Sequence, residues 1–213
     1  MGLSEQIEMR ILDRVLQNWR ARHARRWILD GAKVLDIGCH QGEFLLSLSD
    51  RIGPSIGLDP LATPRVKGNV RIAAEAFRQP MDYPEGAFDA IVMLATLEHI
   101  RDKQPLAEEC ARLLAPGGRL VITVPAKIVD RIVDVLVKFR LADGMSLEEH
   151  HGYNPTDTPK VFGSSGFELE HHARFQLRCN HLFVLKRTEA SVVRPTATNH
   201  ISAKRPSPES SAQ

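Results

Sequence analysis

Cysteine is scarce in these 213 residues: Cys39, Cys110 and Cys179 stand far apart and form no CxxC pair. An odd, scattered set excludes a disulfide framework and fits a reducing compartment. Excess charge of one sign is also missing, because the net charge of +2 is too small to argue for nucleic acid on its own. No stretch is apolar enough to span a bilayer, and Met1 to Arg10, where Glu5 and Glu8 interrupt the apolar residues, lacks a signal-peptide core. A soluble, cytoplasmic protein without a transmembrane segment is expected. A glycine loop ending in Gly-Lys-Ser/Thr, which a phosphate-binding loop requires, is absent as well.

With 43% hydrophobic residues, the chain can bury one substantial core, so one main domain is expected. Its most informative stretch is Val34-Leu35-Asp36-Ile37-Gly38-Cys39-His40-Gln41-Gly42-Glu43-Phe44. Val34, Leu35 and Ile37 read as a buried parallel strand, and Gly38 and Gly42 permit a tight reversal against a ligand before a helix begins. Asp36 is an acid within an apolar strand, costly to bury unless a turn or a cationic ligand group satisfies it. A second apolar strand, Ser55 to Leu58, ends in Asp59, a little over twenty residues after Asp36, where doubly wound folds place the acid that holds ribose hydroxyls. The dinucleotide fingerprint would need glycines where His40 and Glu43 stand, and a glutamate would repel a pyrophosphate. These residues point to an adenosyl ligand without phosphates, S-adenosylmethionine.

Three further blocks follow in order: Ala74-Glu75-Ala76; Phe88 to Val92 leading to Leu97-Glu98-His99-Ile100; and Leu114-Ala115-Pro116-Gly117-Gly118-Arg119-Leu120-Val121-Ile122. Together with the glycine turn they resemble the class I S-adenosylmethionine-dependent methyltransferases of the small-molecule type, over about Val34 to Arg187. The resemblance implies that Asp36, Gly38 and Gly42 surround the methionine part of the cofactor. It places Asp59 on the ribose and Glu75 on the adenine amino group with Ala76 beside it. Cys39, His40, Pro60 and Leu94 complete the expected cofactor set. His40 stands where the family carries its middle glycine and narrows the room at the amino-acid end.

From Lys33 the chain alternates: strand 33 to 38, helix 43 to 50, strands 55 to 59, 70 to 74 and 88 to 94, helix 103 to 115, strand 119 to 124. Phe167 to Arg174 and Asn180 to Arg187 are too close for a crossover helix and must pair antiparallel. The expected fold is α/β: a doubly wound, seven-stranded, mostly parallel sheet with a C-terminal antiparallel hairpin. Residues 1–30 are expected to form an N-terminal helical cap, 31–187 the methyltransferase domain and 188–213 a disordered tail. In the cap, Ile7, Ile11 and Val15 with Leu12, Leu16 and Trp19 give an amphipathic pattern over Ser4 to about Trp27. Its Arg20, Arg22, Arg25 and Arg26 could meet an acidic substrate, a membrane surface or RNA, or form a solvated face.

Methyl transfer asks the protein to align the acceptor, exclude water and, for an oxygen or acidic carbon, remove a proton. His99, just after the 88–94 strand, is one candidate base; a structural or cofactor-side role is the other reading. Ser146 to Asp157 offers His150 first, with His151 and Tyr153 as alternates, or else a plain polar loop. The pair His171 and His172 lies in a strand without partner ligands at metal spacing, so no metal is expected. Lys127 to Arg140 is amphipathic and strongly apolar, suiting a lid over a hydrophobic or lipid-linked acceptor, or packing against the sheet or the partner of a homodimer. Met93-Leu94-Ala95-Thr96 stands where amino methylation of nucleic acid would want an Asn/Asp-Pro-Pro-aromatic block, so DNA is not expected. The function expected is methyl transfer to a small molecule, at oxygen first and nitrogen or carbon next. An RNA-modifying enzyme or a non-catalytic cofactor-binding subunit is the alternative.

Overall fold

A computed structural model describes residues 3–126 and 153–188, with side chains from Arg14 onward. Helix α1 (Leu3–Arg25) leads into strand β1 (Val34–Ile37), helix α2 (Glu43–Leu46), and strands β2 (Ser55–Leu58), β3 (Arg65–Lys67), β4 (Val70–Ala73) and β5 (Phe88–Leu94). A 3₁₀ turn (Leu97–His99), helix α3 (Lys103–Leu113) and strand β6 (Leu114–Pro125) follow. A second 3₁₀ turn (Pro155–Asp157), helix α4 (Thr158–Gly163) and strands β7 (Phe167–Phe175) and β8 (Asn180–Arg187) complete the described chain.

One sheet runs in the order β3-β4-β2-β1-β5-β6-β8-β7. From β4 to β6 it is parallel; β8 lies antiparallel on β6, and β7 on β8. All four residues of β1 are buried, as expected of a strand covered on both faces. On one face Leu106, Ala107 and Cys110 of α3 and Phe162 of α4 pack on Ile91, Met93, Leu120, Ile122 and Phe183. On the other, Ala24 and Ile28 from α1 and its exit, with Phe44 and Leu45 of α2, pack on Val34, Val92, Val121 and Val184. The chain moves outward from β1 through β2 to β4, then crosses back to β5 on the far side of β1. That reversal opens a crevice at the carboxyl ends of β1 and β5.

The doubly wound, mostly parallel sheet with its terminal hairpin is as the sequence suggested, with three corrections. The sheet has eight strands, not seven: Arg65 to Lys67 pairs antiparallel with β4 across a turn at Gly68 and Asn69. Helix α2 stops at Leu46 rather than running to residue 50, because the Ser47 hydroxyl donates to the Phe44 carbonyl at 2.7 Å and Leu48 N bonds Leu45 O, three residues back. Helix α3 ends at Leu113 and β6 begins at Leu114, because Pro116 biases Ala115 away from helical backbone. The extra residues 115–118 form an irregularity in the β5–β6 register. The tail from 189 onward and the segment Lys127 to Arg140 lie outside the described residues.

Candidate functional site

At the crevice lies a cavity of about 1290 Å³. Its floor is the three strand ends: Asp36, Ile37, Gly38, Cys39 and His40 after β1, Leu58, Asp59 and Pro60 after β2, and Leu94, Ala95 and Thr96 after β5. Ala76, Phe77, His99 and Ile100 close one side, and Arg14, Gln17, Asn18, Arg20 and Ala21 of α1 form a roof.

Local chemistry fixes the floor. Gly38 has φ +74, and a Cβ there would stand 2.4 Å from both Thr96 Cγ2 and Thr96 Oγ1, so only glycine lets the β1 and β5 ends approach this closely. His40 keeps a left-handed φ of 52, the conformation a glycine would adopt, and its amide donates to Asp59 Oδ2 at 2.9 Å. Asp59 Oδ1 also accepts from the Leu61 amide at 2.9 Å, so this carboxylate is oriented by two backbone bonds. The His40 imidazole meets Glu43 Oε1 at 3.1 Å. Ala95 is left-handed too, with φ 57, and its amide donates to the Thr123 carbonyl at 2.9 Å. Strained backbone gathered at one cavity is the pattern of a site whose surroundings over-determine it.

Asp36 is 2% exposed and its Oδ1 has no hydrogen-bond partner among the described residues. Burial, then the neighbouring Asp59 and Glu43, push its pKa up to about 8. The buried Cys39 thiol is pushed up by burial and by Asp36, which leaves it an inert wall rather than a nucleophile.

Of the cofactor residues expected from sequence, Asp36, Gly38, Cys39, His40, Asp59, Pro60, Ala76 and Leu94 meet at the cavity. Gly42 and Glu75 are not among its lining. A Cβ on Gly42 would overlap Ile72 Cδ1 at 2.3 Å, so this glycine serves helix-to-sheet packing, and Glu75 Oε1 accepts from Arg71 Nη2 at 3.4 Å. Among the candidate bases, His99 lines the cavity, whereas His150 and His151 lie outside the described residues. Tyr153 packs on the core instead: its hydroxyl meets Thr158 Oγ1 at 2.9 Å and Lys103 Nζ lies 4.4 Å from its ring centroid. Burial holds the Tyr153 phenol up at about 12, far from the range of a base. Thr96 and Phe77 are site components that the sequence reading did not name; of the α1 roof it anticipated Arg20, as a group that could meet an acidic substrate, but not Arg14, Gln17, Asn18 and Ala21. The spacing of positions 14, 17, 18 and 21 was their only signal.

His172 Nε2 and His181 Nδ1 are 3.0 Å apart on the hairpin, yet no group of three metal-ligating side chains occurs among the described residues. No described helix is long and apolar enough to cross a membrane.

A family model described as a methyltransferase domain matches residues 7–172. The chain is 30% identical over 112 residues to a ubiquinone biosynthesis O-methyltransferase of Erwinia tasmaniensis, covering 48% of this chain and 45% of that protein. It is 35% identical over 106 residues to one of Xanthomonas oryzae pv. oryzae, covering 45% and 44%. The chain thus spans a little under half the length of these curated relatives. A solved S-adenosylmethionine-dependent methyltransferase from Mesorhizobium loti superposes with a TM-score of 0.61 at 19% identity, over 78% of this chain and 96% of that one, and so shares the fold.

Proposed function

We propose that this chain, which belongs to the class I S-adenosylmethionine-dependent methyltransferases, transfers a methyl group to an oxygen of a small-molecule acceptor. The observation that carries the reading is the strand-end cavity, where a buried carboxyl with an unpartnered oxygen and a doubly oriented Asp59 flank a turn that admits no Cβ. Those residues fit an S-adenosyl ligand. Asp36 faces space where a cationic amino group would satisfy its oxygen, Asp59 presents a fixed acceptor for ribose hydroxyls, and Ala76 and Leu94 offer apolar surface for a flat base. When bound, S-adenosylmethionine supplies a methyl group already activated on its sulfonium.

The protein then has two tasks. Phe77, Ile100 and the α1 roof exclude water and hold the acceptor in line, and His99 takes the acceptor's proton at its imidazole. Oxygen is preferred because an imidazole can deprotonate a hydroxyl as it attacks, and the O-methyltransferase relatives agree with this choice. The apolar Phe77 and Ile100, with Leu61 82% exposed at the rim, favour an acceptor with a hydrophobic or lipid-linked part. We assign residues 1–30 to the cap and 31–187 to the catalytic domain. A cytoplasmic setting, where the three cysteines remain thiols, suits the chain, and the exposed Val15 and Trp19 offer a face for a homodimer.

Calorimetry with S-adenosylmethionine and S-adenosylhomocysteine, followed by an acceptor screen of phenols, sugars and lipid-linked intermediates, tests the reading. Saturable 1:1 binding of both, with methyl transfer to a hydroxyl that falls at least tenfold in His99→Ala, is expected. Absence of cofactor binding would overturn it.

A further inference from the structure

The two walls of the cavity differ in charge. Its floor carries the carboxylates of Asp59 and Glu43 with the buried Asp36 carboxyl beside them, whereas its roof carries Arg14 and Arg20 beside the amides of Gln17 and Asn18. Arg14, Gln17, Asn18 and Ala21 follow one another at three, four and seven residues, so a single face of α1 looks down on the site.

That face is held in place. Ala24 and Ile28 are buried, at 0% and 2% exposed. The Gln176 amide from the β7–β8 turn donates to the Leu16 carbonyl at 2.9 Å. His23 lies against Phe175 and Trp27 against His171, with ring centroids 4.5 and 5.0 Å apart. Three contacts with the hairpin therefore set the height of the roof above the strand ends. The volume of this open cavity also exceeds the roughly 300–1,000 Å³ usual for a single ligand, leaving space beside the cofactor.

From this arrangement, and resting on the methyltransferase reading above, we infer that the acceptor is an anion: it carries a carboxylate or phosphate group that Arg14 and Arg20 bind from the α1 roof while its hydroxyl faces the strand ends. Guanidinium groups suit both oxyanions, through paired N–H donors of fixed geometry. The division of charge also sorts the two ligands. A cationic sulfonium is drawn to the acidic floor, and an anion is repelled from that floor and attracted to the roof. Arg14 and Arg20 are thus acceptor-positioning residues, and the polar face of α1 is part of the site.

The test loads the full chain with S-adenosylhomocysteine and titrates it by calorimetry with three catechol probes: catechol itself, 3,4-dihydroxybenzoate and 3,4-dihydroxyphenyl phosphate. Both anionic probes, or one of them, bind at least about tenfold more tightly than catechol at low salt, an advantage equal to one charge-assisted hydrogen bond. Which anion gains more separates carboxylate from phosphate recognition. In Arg14→Ala and Arg20→Ala the advantage falls about tenfold, while catechol and S-adenosylhomocysteine bind as before. Arg14→Lys and Arg20→Lys, which keep the charge, retain part of it, and thermal melting confirms that each variant folds.

Equal binding of neutral and anionic probes overturns the inference. So does a loss of S-adenosylhomocysteine affinity in the arginine variants that matches any loss of probe affinity, because the arginines would then serve the cofactor or the fold. Failure of the wild-type chain to bind S-adenosylhomocysteine at all is a different result, which would remove the methyltransferase reading and this inference together.

Discussion

At the scale of single residues, the Asp36 carboxyl binds its proton more tightly in the fold than an ordinary aspartate does, with a pKa pushed up to about 8 by burial and then by Asp59 and Glu43. The unfolded chain releases that proton near pH 4, whereas the folded chain keeps it until about pH 8. Stability contributed by this group therefore declines as pH rises through that window. Asp36→Asn removes the ionisation, and the apo protein should gain on the order of 2 kcal/mol near pH 8, or about 4 to 8 °C in melting temperature, with little gain near pH 4. The same variant should bind S-adenosylhomocysteine at least tenfold more weakly by calorimetry. Opposite signs for stability and binding mark a residue kept for a ligand. Gly38 gives a second check. Gly38→Ala adds a methyl 2.4 Å from Thr96 at a φ of +74 and should cost about 2–3 kcal/mol in urea unfolding. Thr96→Ala in the same chain should return part of that cost, because it relieves the overlap and leaves the backbone strain. Asp36 and Gly38 were legible in the sequence because an acid in an apolar strand and a glycine after it violate local rules visibly. Thr96 was not, since nothing local to residue 96 shows that it packs against residue 38.

Among the elements, α3 does more than cover the sheet. Its Arg112 donates to the Tyr83 carbonyl at 2.7 Å and the Met81 carbonyl at 3.0 Å, while Glu109, beside it, accepts from Arg112 Nε at 3.0 Å and from the Met81 amide at 2.8 Å. The pair clamps the segment that leads into the amino end of β5, at Phe88. Arg112→Ala leaves the buried Glu109 without its cation and should destabilise by about 2 kcal/mol, read as a lower urea midpoint at unchanged slope. The hydrogen bond from Arg112, aided by the Met81 amide, holds the Glu109 carboxyl below its ordinary range against the effect of burial. This contribution is present at neutral pH and disappears as acid titrates Glu109 through that lowered value. The element order from β1 to β8 was readable because apolar runs, glycine turns and the short gap before the hairpin each act locally. Two features were not. The β3 strand has three exposed residues and one apolar side chain, too little pattern to register. The polar face of α1 reads either as a substrate contact or as a solvated surface, and it is the packing on the hairpin that turns it over the cavity.

In the molecule as a whole, two buried titrations pull in opposite directions. Burial, and then His172 and Arg174, lower the His181 pKa to about 4, so the unfolded chain gains a proton below about pH 6.5 that the folded chain refuses. Stability from His181 is thus lost as pH falls from about 6.5 to 4, the range in which Asp36 adds stability. The expected profile for the apo protein is a broad maximum near pH 5 to 6.5 and a decline from there to pH 8, measured as melting temperature in buffers of equal ionic strength. S-adenosylhomocysteine at a hundred times its dissociation constant should add about 2.7 kcal/mol at any pH where it binds. A flat apo profile from pH 6.5 to 8 would contradict the Asp36 assignment.

Among the described residues the sheet is open at both ends, and its two rims are unlike. Strand β3 ends one rim with Arg65, Val66 and Lys67, all exposed, while β7 ends the other with the exposed Glu168 and with Glu170, which pairs with Arg119 of β6. An open rim offers unpaired amides and carbonyls to any passing strand, including one from another copy. On β3, two cations of like sign flank the lone valine, so two such rims repel one another before their backbones can meet. The three-residue strand that escapes notice in the sequence thereby acts as a guard against fibrous self-assembly.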